Sequence, residues 1–147
     1  ELCAVEWGHG SRWDVARPAS QETVQHYALQ YTQAGIALSR RKNHASAKKY
    51  LQAAIRMDPG LRPQMAVAHL KLSDALDELG DLAGAVQSVR NAITADPEDF
   101  GAHNNLGHLL MKKGDYVAAV TSFKRALAIQ PDDARVQANL KVARQAR

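Results

Sequence analysis

The chain has little of what builds disulfide-rich, membrane-spanning or aromatic-rich proteins. Its 147 residues include one cysteine, Cys3, so no intramolecular disulfide can form. Aromatic residues make up 5% of the sequence, and no apolar run approaches the roughly 18 residues expected of a transmembrane helix. The polar and apolar alternation that is typical of strands is also lacking. We therefore expect an all-α domain without a transmembrane segment.

Motifs that would indicate catalysis are missing as well. There is no phosphate-binding loop, nucleophile elbow or Cys/His metal cluster. His103 and His108 are five residues apart, about 140° around a helix, so they do not share a face as metal ligands would. Asp74 and Asp77 share a helix face, but no nucleophile or base accompanies them. We expect no enzyme activity, no catalytic residue, no metal site and no cofactor.

What the sequence does contain is a period of 34 residues. Pro131 repeats Pro97, and Gly114 repeats Gly80. The same period pairs Leu72 with Leu106, Leu76 with Leu110, Ala85 with Ala119, Ala92 with Ala126 and His69 with His103. A third unit aligns upstream if four extra residues are allowed at 61–64. Self-similarity at this period predicts stacked helical hairpins, and equivalent histidines are more typical of packing than of ligation.

The residues that repeat resemble the tetratricopeptide repeat family. The last full unit carries the pattern in His103, Leu106, Gly107, Leu110, Ala119, Phe123, Ala126 and Pro131. The second unit departs from it with Ser73 for glycine and Val89 for phenylalanine. The first has Leu51 for phenylalanine and Lys42 for the turn glycine. The resemblance covers residues 28–133 and implies a right-handed superhelical α-solenoid.

The domain organisation expected from this register has five parts. They are a non-repeat segment with a helix extension at 1–27, repeats at 28–61, 66–99 and 100–133, and a C-terminal capping helix at 134–147. Ser20 is predicted to cap a long first helix that runs from Gln21 to about Arg40. In the capping helix, we expect Val136 and Leu140 to face inward.

The turn inside each repeat needs a residue that tolerates positive φ, followed by a capping side chain. Gly80 and Gly114 supply the first requirement in the second and third repeats, each followed by aspartate. The first repeat has Lys42 and Asn43 instead. Its turn is predicted to be the most strained of the three.

Charge is distributed unevenly along the repeats. The formal charge is +6 over residues 28–65 and −5 over residues 66–99, in a chain of net charge +4. The basic run from Arg40 to Lys42, with Lys48 and Lys49, could attract phosphate, but such runs at helix ends are more often solvated caps. No stacking aromatics accompany it, so a nucleic-acid partner is not expected.

The resemblance also implies where a partner would bind. In the family, the first helices of the repeats line a concave groove that holds a segment of another protein, so a protein or peptide partner is expected. By register, the groove residues would be Thr32, Gln33, Ile36, Ser39, Leu70, Lys71, Asp74, Asp77, Asn104, Asn105, His108 and Met111.

One register within this groove is rich in carboxamides. Gln33, Lys71, Asn105 and Asn139 occupy equivalent places. An amide offers both donors and an acceptor, so a row of amides could pair with the backbone of an extended peptide. This resembles the asparagine ladder in the repeat array of O-GlcNAc transferase, although Lys71 interrupts it. In the alternative interpretation, these amides bond only to neighbouring backbone or water.

A different binding mode of the family is not supported. Its chaperone adaptors hold a C-terminal carboxylate with lysine, asparagine and arginine side chains. The matching positions here are Thr32, Ile36, Gly101 and Asn105. The carboxylate clamp is therefore not expected.

The first 27 residues contain both tryptophans, Trp7 and Trp13, and lack the period. They could cap the first repeat, or anchor the chain in an interface, where tryptophan is enriched. In the second case the chain would be an accessory subunit or excised domain within a homo-oligomer or larger assembly. Because the sequence opens at Glu1 rather than methionine, we expect a processed product or part of a longer protein. The sequence does not indicate a cellular compartment.

Overall fold

The computed structural model describes residues 20–58 and 63–146, which form seven helices and no strand. The helices are α1 (Gln21–Arg40), α2 (His44–Met57), α3 (Pro63–Glu78), α4 (Leu82–Ala95), α5 (Phe100–Lys113), α6 (Tyr116–Ile129) and α7 (Ala134–Gln145). The predicted all-α helical repeat solenoid is confirmed. Among the described helices, none is both long and apolar enough to cross a bilayer.

The helices stack mainly on their neighbours in sequence. The helix pairs α1–α2, α3–α4 and α5–α6 make the most extensive contacts, and each pair packs onto the next through α2–α3, α4–α5 and α6–α7. A further contact joins α1 to α3. Because α1 contacts α3 and Lys112 of α5 pairs with Asp77 of α3, the first helices of the three hairpins form a surface along one side of the stack.

Side chains cap the starts of six of the seven described helices. The Ser20 hydroxyl accepts a hydrogen bond from the Thr23 amide at 3.2 Å, so the predicted cap and the predicted start of α1 are confirmed. The other capping residues are Asn43, Asp81, Asp99, Asp115 and Asp133. Each satisfies backbone donors that a helix leaves free at its first turn.

The turns within the three hairpins share one geometry. Gly80 and Gly114 have φ angles of 82° and 84°, and Lys42 adopts 59° at the equivalent place. In each turn the next amide donates to a carbonyl five residues back: Asn43 to Leu38, Asp81 to Leu76 and Asp115 to Leu110. The strain predicted for the first turn is confirmed, since Lys42 carries a side chain in the left-handed region.

Small residues allow the helices of a hairpin to approach closely. A Cβ added to Gly107 in α5 would lie 2.5 Å from the Cε1 atom of Phe123 in α6, and one added to Gly35 would lie 2.6 Å from Cγ of Leu51. Phe123 and Leu51 are fully buried. The repeating glycine therefore makes room for the largest side chains of the core.

The buried apolar residues form two clusters. One extends from α2 to α5 and the other from α5 to α7, and Leu106 packs against both. The second cluster includes Val136, Leu140 and Ala143 of α7. The predicted inward face of the C-terminal helix is confirmed.

The histidines at equivalent repeat positions are buried, as predicted. His69 and His103 are 5% and 8% exposed. The Nε2 of His103 donates to the Pro97 carbonyl at 2.9 Å, and Gln137 makes the same bond to the Pro131 carbonyl one repeat later, also at 2.9 Å. These bonds tie each helix start to the proline that precedes it.

The predictions for Cys3, Trp7 and Trp13 lie outside the described residues. The four extra residues expected at 61–64 do not all lie between helices, because α3 already begins at Pro63. Proline is well suited to the first position of a helix, where its missing amide hydrogen would have no intrahelical partner.

Candidate binding groove

Two adjoining pockets lie on the surface formed by α1, α3 and α5. The α3–α5 pocket, of about 290 Å³, is lined by Ser73, Asp74, Asp77, Asn105, His108, Leu109 and Lys112. The α1–α3 pocket, of about 430 Å³, is lined by Ile36, Ser39, Arg40, His44, Lys71, Asp74, Asp77 and Glu78. Asp74 and Asp77 line both pockets, which therefore form one continuous groove.

Helical spacing places the polar residues of α3 in this groove. Lys71, Asp74 and Asp77 recur at intervals of three, so they share a face. The residues between them, such as Leu72 and Ala75, belong to the core. The sequence of α3 thus commits one face to packing and leaves the other for contacts in the groove.

Ion pairs engage two of the lysines in the groove. The Lys71 ammonium lies 3.0 Å from the Asp74 carboxylate, one turn along α3. Lys112 of α5 pairs with Asp77 of α3 and so joins two consecutive repeats. Both pairs are partly exposed, and such pairs typically contribute about 0.2 to 1 kcal/mol. Their main effect is to neutralise Asp74 and Asp77 locally.

His108 connects the groove to α7. The Asn139 side-chain amide donates to Nε2 of His108 at 3.1 Å, and the imidazole packs edge-on against the Phe123 ring with centroids 5.4 Å apart. Desolvation of the ring, with a smaller effect of the Lys112 charge, lowers the pKa of His108. The lowered pKa favours the neutral imidazole, and a side-chain amide nitrogen can only donate, so Nε2 is the acceptor in this bond.

The predicted groove residues do not all occupy similar surroundings. Those that line the two pockets are Ile36, Ser39, Lys71, Asp74, Asp77, Asn105 and His108, and Asn139 joins them through His108. Gln33 is exposed on α1 and lines neither pocket. Asn104 is partly buried, and within the described part of the chain its Oδ1 has no hydrogen-bond partner. The carboxamide row stays a prediction.

Three further positions of the predicted groove wall are used for packing. The prediction that Thr32 faces the groove is wrong. Its side chain is 4% exposed, and its hydroxyl donates to the Ala28 carbonyl at 2.9 Å. Leu70 and Met111 are partly buried and pack against the two core clusters. The available wall is therefore more polar than the register alone suggests.

The structure adds four charged or titratable residues that the sequence did not assign to the groove. They are Arg40, His44, Glu78 and Lys112. A pattern in the sequence could have revealed three of them, because Arg40, Glu78 and Lys112 are equivalent positions at the ends of the first helices. Their signs alternate from repeat to repeat.

The groove is equipped for non-covalent contacts. It presents amides, carboxylates and ammonium groups around the apolar side chain of Ile36. Within residues 20–58 and 63–146, no group of three His, Cys, Asp or Glu side chains could hold a metal ion.

A tetratricopeptide repeat family model matches residues 31–99 and, again, residues 70–134. These matches include most of the chain and coincide with the stacked hairpins. The chain belongs to the tetratricopeptide repeat (TPR) family. A comparison with curated proteins found no match for this TPR chain.

Solved TPR structures share the fold. The Arabidopsis OM64 TPR domain has a TM-score of 0.76 at 20% identity, over 83% of this chain and 98% of that one. The first TPR of Spaghetti (RPAP3) bound to HSP90 peptide SRMEEVD also reaches 0.76, at 18% identity over 83% and 94%. The Yersinia enterocolitica chaperone SycD in complex with a peptide of the translocator YopD reaches 0.71, at 16% identity over 79% and 91%.

Proposed function

We propose that this TPR chain is a protein-interaction scaffold that holds a segment of a partner protein in the groove formed by α1, α3 and α5. The observation that carries this proposal is the continuity of the two pockets. Seven residues assigned to the groove from the repeat register line it together: Ile36, Ser39, Lys71, Asp74, Asp77, Asn105 and His108.

The comparisons support a peptide as the occupant. Two of the similar TPR structures, Spaghetti and SycD, were solved with peptides bound. The family is generally a non-enzymatic fold for protein interaction. Because the positions of the carboxylate clamp carry Thr32, Ile36, Gly101 and Asn105 here, we do not expect the partner to be held by a C-terminal carboxylate at those positions.

The chemistry of the groove favours an extended polar segment. Amides such as Asn105 can both donate to and accept from a peptide backbone, so they can bind a segment through its main chain. Ile36, which is partly exposed, adds apolar area between the polar groups. Affinity would come from several such contacts in a row.

The proposal can be tested by selecting short random peptides on the immobilised chain and measuring their affinity by calorimetry. Replacing Asn105 and Asn139 together with alanine should weaken the selected peptides, since each change removes a side-chain amide from the groove or its flank. Asn91→Ala is the matched control, because Asn91 lies in α4 and bonds to Gln87.

The far-UV circular dichroism and melting curve of the double variant should match those of the parent chain. Undiminished affinity in a folded double variant would contradict binding in this groove. Equal weakening by Asn91→Ala would indicate that the peptides bind elsewhere.

A further inference from the structure

The two pockets differ in whether an ion pair links their two helices. In the α3–α5 pocket, Asp77 of α3 pairs with Lys112 of α5. The equivalent positions in the α1–α3 pocket are Ser39 of α1 and Glu78 of α3. No hydrogen bond or ion pair between Ser39 and Glu78 is present. The α1–α3 pocket therefore lacks a counterpart of the Asp77–Lys112 ion pair.

Polar atoms in the wall of the α1–α3 pocket are left without partners. The Ser39 hydroxyl and Nδ1 of His44 are both buried, and neither has a hydrogen-bond partner among the described residues. Buried polar atoms in proteins are normally hydrogen bonded. Ser39 and His44 thus line the pocket without a side-chain hydrogen bond to Glu78, whose carboxylate belongs to the same lining.

The charges of the pocket favour a cation in that place. Asp74 and Asp77 are already paired with Lys71 and Lys112, so Glu78 is the carboxylate of this pocket that has no ion-pair partner in the described chain. A basic side chain of a bound segment would supply the positive charge and the donors that the exposed Glu78 carboxylate can accept.

We propose that the α1–α3 pocket receives a lysine or arginine side chain of the bound segment beside Glu78. This inference rests on the proposed peptide-binding function and adds a sequence preference to it. The partner is thus a polypeptide with a basic residue at one fixed position.

Arg40 allows binding of a basic side chain to be distinguished from binding of an acidic one. It lies on the rim of the same pocket, exposed in the last turn of α1, where a cation is stabilised by the helix C-terminus. A bound basic side chain is repelled by Arg40, whereas a bound acidic side chain would be attracted. Arg40→Gln should therefore strengthen binding if the proposal holds.

The experiment uses the peptides selected on the full chain. We expect lysine or arginine to be enriched at one position of the aligned peptides. Glu78→Gln should weaken the best peptide by about tenfold, as expected for loss of a charge-assisted hydrogen bond. Replacing the basic residue of the peptide with alanine should cost the same in the parent chain and little in Glu78→Gln. Asp132→Asn, which removes an exposed charge in the turn before α7, is the matched control.

The outcomes separate this inference from the function on which it rests. If the folded chain selects no peptide, the proposed function is wrong and the inference is wrong with it. Peptides without an enriched basic residue, or unchanged affinity in Glu78→Gln, would overturn the inference alone. Weaker binding in Arg40→Gln would also overturn it, because the pocket would then bind an anion.

Discussion

Gly107 lies directly against the ring of Phe123, so that a Cβ on Gly107 would be 2.5 Å from Cε1 of that ring. This contact sets the distance between α5 and α6. The second repeat solves the same steric problem differently, with Ser73 and Val89 at the equivalent positions, both buried. In the second repeat, the smaller Val89 on α4 allows a larger residue than glycine, Ser73, on α3.

We predict that Gly107→Ala destabilises the chain by about 1 to 3 kcal/mol, since a methyl group would have to displace a fully packed ring. Urea unfolding followed by circular dichroism would measure the loss. Phe123→Val should reverse part of it in the double variant, because it approaches the Ser73 and Val89 combination. Strictly additive losses from the two changes would contradict this steric account.

Lys42→Gly should stabilise the chain by about 0.5 to 1 kcal/mol, although glycine usually lowers stability. The reason is the φ angle of 59° at Lys42, which costs a residue with a side chain more than it costs glycine. Thermal unfolding would show the gain. Gly114→Lys, the reverse change at the equivalent turn, should lower the melting temperature. An unchanged or lower melting temperature for Lys42→Gly would count against strain at this turn.

Stability should fall as the pH is lowered below about 6.5. Desolvation lowers the pKa of His69, and desolvation followed by the Lys112 charge lowers that of His108. The unfolded chain then binds protons at a higher pH than the folded chain does. The two histidines contribute fully to the stability of the fold above the pKa that histidine has in the unfolded chain, about 6.5. This contribution is lost as the pH falls toward their lower pKa values in the folded chain.

NMR titration would test the cause of the shift at His108. Lys112→Ala removes the nearby positive charge, so the pKa of His108 should rise toward its usual value. Lys113→Ala, at the exposed end of the same helix, is the control and should have a smaller effect. Equal shifts in both variants would argue against a specific effect of Lys112.

The Asp77–Lys112 ion pair should couple the second and third repeats weakly. A double-mutant cycle with Asp77→Asn and Lys112→Met should give a coupling free energy of about 0.2 to 1 kcal/mol, because the pair is partly exposed. The coupling should decrease in high salt. A coupling that salt does not change would mean that packing, rather than charge, links the two residues.

Much of the fold could be predicted because it depends on local chemistry. The start of α1 follows from the hydroxyl of Ser20, and the turns at Gly80 and Gly114 follow from the positive φ that glycine tolerates. The strain at Lys42 follows from the missing glycine. Each of these features involves residues that are neighbours in sequence, so the pattern alone is enough.

The side-chain partners in the groove could not be predicted in the same way. The Asp77–Lys112 and His108–Asn139 contacts depend on the offset between stacked helices, which the repeat register does not specify. Thr32 was misplaced for another reason: threonine can be buried in a helix by donating its hydroxyl to a carbonyl one turn earlier. The repeat register, which aligns Thr32 with Asn104, does not indicate this burial.

The division of the core at α5 limits how cooperatively this chain can unfold. Leu106 contacts both clusters, but most buried contacts lie within one or the other. In a stacked array each unit is stabilised chiefly by its nearest neighbours. We therefore expect the helices after α5 to open while those before it stay closed. Amide hydrogen exchange should then assign separate opening free energies to the two halves.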